Sequence, residues 1–231
     1  MKRFYKDVAI VPTEDGHAIQ LDGRPVRTPA RAALAVPNAQ LAKAIADEWR
    51  AQGDMIDPRS MPFTGLSNGA IDQITPNRES FAAGIAHYGS TDLLCYRAEG
   101  PIELIEREAA AWGPLLDWAQ RRYDVRFTVT QGIIPVDQPP ETLERLAGVV
   151  AAFDPFTLAG LSTLVTLSGS LICGLAIVEG GHDVDVIWTA SEIDEAWEVE
   201  QWGEDADAAA RSARRRGEFA MARVFCELAR N

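Results

Sequence analysis

The chain has 231 residues, 47 % of them hydrophobic, and its 34 acidic against 22 basic side chains leave a formal net charge of −12. That length holds one large domain or two modest ones with a sizeable core. The acidic balance argues against a grip on nucleic-acid or anionic-lipid backbones, because such binding needs Lys and Arg to displace counterions.

The N-terminal MKRFYKDVAIV carries neither the apolar core of a signal peptide nor a long Arg/Ser-rich presequence. Residues 1 to 36 carry strand signals. Val8 and Ile10 alternate, Asp15-Gly16 is a hairpin turn signal, Ile19 and Leu21 alternate again, and Asp22-Gly23 offers a second turn. Val26, then Leu34 with Val36, supply two more short strands. Asn38 is the expected N-cap of a helix whose face carries Leu41, Ile45, Trp49 and Gln52, with Gly53 as a left-handed C-cap. On this spacing Trp49 is a core residue. The prolines at 58 and 62 mark the passage out of this lobe. The expected organisation is α+β, with a small β-rich N-terminal domain over 1–60 and a larger, mainly helical domain over 61–231.

In the second part Leu66, Ala70, Ile71 and Ile74 define one helix, and Phe81, Ile85 and Tyr88 another, with Thr91 capping a short turn at Leu93-Leu94. Pro101 opens a long helix carrying Leu104, Glu108, Trp112, Leu115, Leu116 and Ala119 to Tyr123, with a kink or break expected at Pro114. Val125, Phe127 and Val129 alternate as an isolated strand, either at the edge of the first lobe or as a ribbon on the second. Pro139-Pro140 starts a helix with Leu143, Leu146 and Val150. From Phe156 to Val178 no residue is charged, long enough for a membrane span. Ser168-Gly169-Ser170 breaks it, so two buried helices are expected. After Gly180-Gly181 a short segment leads to Ser191, and a final helix runs from Asp205 to Ala229.

Between Ser191 and Asp207 eight carboxylates and two tryptophans share seventeen residues with no basic side chain. Ser191 with Asp194 reads as a capping box, and Ile193, Trp197 and Gln201 fall on one face. Such a helix is either a solvated face or a partner surface anchored by Trp197 and Trp202. Arg211 and Arg214 to Arg216 follow at once and read as charge-pairing partners. Cys95, Cys173 and Cys226 are widely separated among aliphatic residues and read as buried, reduced thiols.

Catalytic grammar is absent. His17, His87 and His182 have no second ligand at metal spacing, so no metal site is expected. The Ser168 and Ser170 pair lacks a nucleophile elbow, no phosphate-cradling glycine loop occurs, and the acidic run lacks calcium-loop spacing. No cofactor, nucleic acid, membrane insertion or small-molecule substrate is expected, and a protein-binding surface is left by elimination.

Seven segments in order carry a resemblance: KRFYK from Lys2, LDGRPVRTP from Leu21, EWRAQ from Glu48, MPFTGLSNGAID from Met61, YGSTDLLCYRA from Tyr88, WGPLLDW from Trp112 and DEAWEVEQWGED from Asp194. With these the chain resembles the assembly chaperones of the F-type ATP synthase that bind the alpha subunit of its catalytic head. The resemblance implies a β-rich N-terminal and a helical C-terminal domain, and a non-enzymatic protein that shields the unassembled alpha subunit until the beta subunit takes over. It implies the bacterial cytoplasm, or the mitochondrial matrix for organellar relatives. It marks Glu195, Glu200, Trp202, Glu204 and Asp205 as partner-related and Trp49 as structurally critical. The family pattern commonly has glutamine where Glu108 and Glu198 stand here. The alternatives are a small soluble enzyme with an acidic cleft, or a subunit that stays in the finished complex.

Overall fold

The computed structural model describes residues 1–14 and 16–230, and the fold is α+β. The chain divides into two compact units. The first holds Met1–Arg78 with Asp154–Gly160 and the chain from Val224 onward, and the second holds Glu79–Phe153 with Leu161–Arg223.

In the first unit, strands β1 (Val8–Thr13) and β2 (Gly16–Leu21) pair antiparallel from Val8↔Leu21 to Thr13↔Gly16. The other edge of β2 takes β3 (Arg24–Pro25) at one end and β4 (Ala35–Val36) at the other. The turn signal at Asp15-Gly16 falls partly on Asp15, outside the described residues. Asp22 and Gly23 both adopt positive φ, 48° and 75°, as a tight two-residue hairpin demands. The Asp22 carboxylate accepts the Asp7 N–H at 2.8 Å, which holds the chain entering β1. Gly16 is required where it stands, since a Cβ there would lie 2.3 Å from the Val36 carbonyl oxygen.

Helix α1 (Ala39–Arg50) starts as expected, with the Asn38 side chain accepting the N–H groups of Gln40 and Leu41. Leu41, Ala42, Ile45 and Ala46 are buried and face the sheet. Two expectations fail. The helix closes at Ala51 in right-handed geometry, so Gly53 is no left-handed cap. Trp49 is half-buried rather than central, its ring edge-on to Tyr5 at 5.6 Å while the Tyr5 hydroxyl donates to the Trp49 carbonyl at 2.6 Å.

Helix α2 (Pro62–Gly69) has no cap of its own from Met61. Glu48 supplies one from α1, accepting the N–H groups of Phe63 at 2.7 Å and Thr64 at 2.8 Å. A π turn over Ala70–Ile74 and a 3-10 turn continue α2 into α3 (Arg78–Ala86). Asp72, on the π turn, accepts the Thr28 hydroxyl at 2.6 Å and the Ala30 N–H at 2.9 Å, stapling the loop after β3.

The second unit is built on α4 (Ile102–Tyr123), which runs unbroken through Pro114. Against it pack α7 (Leu171–Glu179) and α8 (Val184–Ser191), and the unit also holds α5 (Pro140–Ala151) and the part of α6 (Pro155–Ser168) from Leu161 onward. The uncharged stretch is two helices as expected. Gly169 turns the chain with φ 68° and the Ser170 side chain caps α7. Gly174 sets the closeness of α6 and α7, since a Cβ there would sit 2.6 Å from a Val165 methyl. No helix among the described residues is long and apolar enough to cross a membrane.

Four local readings are corrected. Asp92, not Thr91, caps the turn at Leu93–Cys95. Residues after Asp183 are not a mere connection but α8, capped by Asp183. Ser191 does not open the acidic helix. It ends α8, its hydroxyl donating to the Trp188 carbonyl at 2.8 Å. The strand expected over Val125, Phe127 and Val129 is confined to β6 (Thr130–Gln131), parallel to β5 (Tyr96–Arg97) within the second unit.

Candidate functional site

The acidic stretch becomes three pieces: the end of α8, helix α9 (Ile193–Trp202) and the start of α10 (Ala206–Arg230). Gly203, with φ 88°, separates the last two, and Asp205 starts α10 by accepting the Ala208 N–H at 2.7 Å. Within the second unit α9 and α10 enclose a groove of about 540 Å³. Ala196, Val199 and Ala208 give it apolar walls, Glu195, Glu204 and Asp205 an acidic rim, and Arg211 and Arg214 a basic one.

Three of the five residues marked by the resemblance, Glu195, Glu204 and Asp205, thus share one groove. Glu200 and Trp202 do not line it. Glu200 turns to α4, where Arg107 Nη1 lies 2.8 Å from both of its oxygens and holds its carboxyl below the usual range. The same guanidinium sits 4.8 Å over the ring of Trp197. Arg107 therefore clamps α9 through two side chains one turn apart, an exposed arrangement of modest energy. Trp202 is 77 % exposed at the end of α9. Val199 is exposed as well, so α9 carries two apolar side chains in water among its carboxylates.

The reading of the sequence missed what secures the other side of this groove. Glu192 is buried, and burial raises its carboxyl against the pull of Arg215, 3.3 Å away. Arg215 also donates to the Leu167 carbonyl at 2.8 Å, and Arg216 pairs with Asp185 at 2.8 Å. The charge pairing expected of this arginine run is present. The crowding of Arg211 and Arg214 to Arg216 directly after the acidic run was the available signal, but the partners of Arg215 and Arg216 lie on other elements.

Beneath α9 a buried acid, Glu108, meets a half-buried one, Asp194. Glu108 of α4 is 1 % exposed and accepts the Ala98 N–H at 2.9 Å. Its carboxyl also meets that of Asp194, whose Oδ1 is buried and receives no donor. Burial foremost, and then Asp194, push Glu108 up to about 7, against the Ala98 N–H and Arg97. Because the folded value lies above the ordinary 4.5, the folded state holds the extra proton in that window. The pair's contribution is complete below about pH 4.5 and is lost as pH rises through about 7. Glu108→Gln keeps an acceptor for Ala98 and gives Asp194 a donor. It is expected to stabilise the protein by about 1–2 kcal/mol at pH 8 and not at pH 4. Melting temperatures at the two pH values test this, and a variant less stable than wild type at pH 8 would refute the shared proton.

Elsewhere the chemistry is quiet. Cys95, Cys173 and Cys226 are buried, which pushes each thiol up to about 12. Among the described residues no group of His, Cys, Asp and Glu is placed to hold a metal ion.

The fold as a whole is similar to that of proteins of the chaperone class along almost the entire chain. The crystal structure of Atp12 from Paracoccus denitrificans superposes with a TM-score of 0.95 at 42 % identity, covering 99 % of this chain and 98 % of that one. The mitochondrial protein atp12 of Schizosaccharomyces pombe is 26 % identical over 219 residues, 90 % of this chain and 75 % of its own length. Its Saccharomyces cerevisiae counterpart is 24 % identical over 82 % of this chain and 72 % of its own. The family model described as ATP12 chaperone protein matches residues 2–120, and the chain belongs to that family of ATP synthase assembly factors.

Proposed function

We propose that this chain is a non-enzymatic chaperone of the bacterial cytoplasm that holds the unassembled alpha subunit of the F-type ATP synthase and shields its subunit interface until the beta subunit replaces it. The observation that carries the reading is the likeness to Paracoccus Atp12 over 99 % of the chain at 42 % identity. The α9–α10 groove supports it physically. Charges on its rims steer encounter, while Val199 within it and Trp202 at the nearby end of α9 bury apolar area on contact. A chaperone must also let go, which suits a small set of anchors that a larger native interface outcompetes.

The test is co-expression capture of the alpha subunit, with the beta subunit added afterwards. Capture followed by release into an alpha–beta complex is the expected result, and no capture by folded protein sinks the reading. Within the same assay Glu204→Lys, at an exposed groove position, is expected to weaken capture about tenfold, or 1.4 kcal/mol. Its stability should stay within about 0.5 kcal/mol of wild type. A matching loss of stability would assign Glu204 to folding instead.

A further inference from the structure

Residues 126–131 of the second unit run as an extended segment with one edge left open, of which Thr130 and Gln131 alone pair as a strand. The Arg126 N–H donates to Thr142 Oγ1 at 3.2 Å, and the same hydroxyl donates to the Arg126 carbonyl at 2.7 Å. Two residues on, the Thr128 N–H donates to Gln138 Oε1 at 2.9 Å, and Gln138 Nε2 donates back to the Thr128 carbonyl at 2.8 Å. A residue whose N–H and C=O meet one side chain has both on the same side, as in an extended strand. Its neighbours direct theirs to the opposite side. Further along, Thr130 and Gln131 pair with Tyr96 and Arg97, and the Gly132 N–H donates to the Arg97 carbonyl at 2.8 Å. One edge is thus closed from Arg126 to Gly132. On the other, the main-chain groups of Phe127 and Val129 have no hydrogen-bond partner among the described residues.

Apolar side chains surround this edge. Val129 is 47 % exposed, Ile133 94 % and Ile134 78 %. Between Val125 and Val136 the only charge is that of Arg126, in a chain of net charge −12. No charged side chain of the kind that usually blunts an exposed edge stands from Phe127 to Gln131, and the chain bends only beyond it, at Gly132 and Ile133. Hydrogen-bonding polarity specifies the occupant, since alternate N–H and C=O groups are matched by another extended main chain, and the neutral, apolar flank fits alternating apolar side chains.

We propose that residues 127–131 are a docking edge to which an extended, apolar segment of a client protein adds as a strand, with the exposed Ile133 and Ile134 just beyond the bend covering its side chains. The identity of the client rests on the alpha-subunit reading; the edge does not.

Amide hydrogen exchange on the full chain tests the edge, alone, with the ATP synthase alpha subunit, and with a synthetic peptide of about ten alternating valines and threonines with lysine ends. Exchange at Phe127 and Val129 is expected to slow about tenfold or more with either partner, while that at Arg126 and Thr128, already bonded, stays unchanged. Val129→Pro, which removes one of the open donors, and the double change Ile133→Ser with Ile134→Ser are each expected to weaken peptide binding about tenfold. Capture of the alpha subunit with unchanged exchange at Phe127 and Val129 overturns the edge and leaves the chaperone reading standing. Slowing by the peptide without capture of the alpha subunit keeps the edge and removes that client. No slowing with either overturns the proposal.

Discussion

Trp112→Ala is expected to cost about 4 kcal/mol of stability, within the 3–5 typical of losing a core aromatic. Trp112 lies in the middle of α4 with no exposed surface, donates its indole N–H to the Ala190 carbonyl at 2.6 Å, and carries the Arg97 guanidinium 4.8 Å over its ring. Truncation leaves a large cavity and a buried carbonyl with no donor. Trp112→Phe isolates the second term, keeping much of the ring and losing the hydrogen bond, at about 1–2 kcal/mol. Urea unfolding separates the two, and a cost for Trp112→Ala below about 1.5 kcal/mol would contradict the packing. The substitution also reaches function, because Ala190 is the penultimate residue of α8 and the chain enters α9 three residues later. Capture of the client should fall in Trp112→Ala even where the protein remains folded.

Asp92→Ala and Asp92→Asn are both expected to cost about 3 kcal/mol, a result that separates this carboxylate from Glu108. The Asp92 side chain is fully buried. One oxygen accepts the Leu94 N–H at 3.1 Å and the other the Ile172 N–H at 3.0 Å, in the first turn of α7. Alanine abandons both donors. Asparagine must turn its NH2 toward one of them, so the isosteric change that helps at position 108 fails here. Burial raises Asp92 from 3.8 to about 6 despite these donors, so the folded state holds the extra proton between those values. Wild-type stability therefore falls as pH rises from about 4 to 6, and Asp92→Asn is expected to remove that slope while lowering stability throughout. An asparagine variant as stable as wild type at pH 7 would show that the two donors are met in some other way.

These residues belong to the segments that carry the family likeness, and their contacts give that likeness a physical content. Glu48 of EWRAQ caps the helix that begins inside MPFTGLSNGAID. Asp72 at the end of that second segment holds Thr28 of LDGRPVRTP. Asp92 of YGSTDLLCYRA accepts the Ile172 N–H in the first turn of α7, and Trp112 of WGPLLDW reaches Ala190. Much of what makes the sequence recognisable is scaffold.

Only the last segment opens on the groove, and it does so unevenly. Glu195, Glu204 and Asp205 reach it, Glu200 is held by Arg107, and Asp194 lies under the helix against Glu108. Asp205 has a second task as the cap of α10, so its replacement mixes folding with binding and Glu204 is the cleaner probe. The groove's three carboxylates were legible because eleven residues of continuous sequence contain them. Their division from Glu200 depends on a cation 93 residues away.

The sequence by itself determined the features whose causes are local. Asn38 caps α1, Asp22-Gly23 turns the hairpin, Gly169-Ser170 ends one buried helix and starts the next, and the apolar stripe from Leu104 to Tyr123 makes one long helix. Each rests on backbone preferences and hydrogen bonds that span a few residues. Only the tertiary structure decided what buried polar groups do, because their partners stand far away in sequence: 44 residues for Thr28 and Asp72, 78 for Trp112 and Ala190, 80 for Asp92 and Ile172. The strand signal at Val125, Phe127 and Val129 shows the same limit. Its alternation was real, but Gln138 and Thr142 take the hydrogen bonds of one edge, and alternation alone carries no information about which groups an edge will meet.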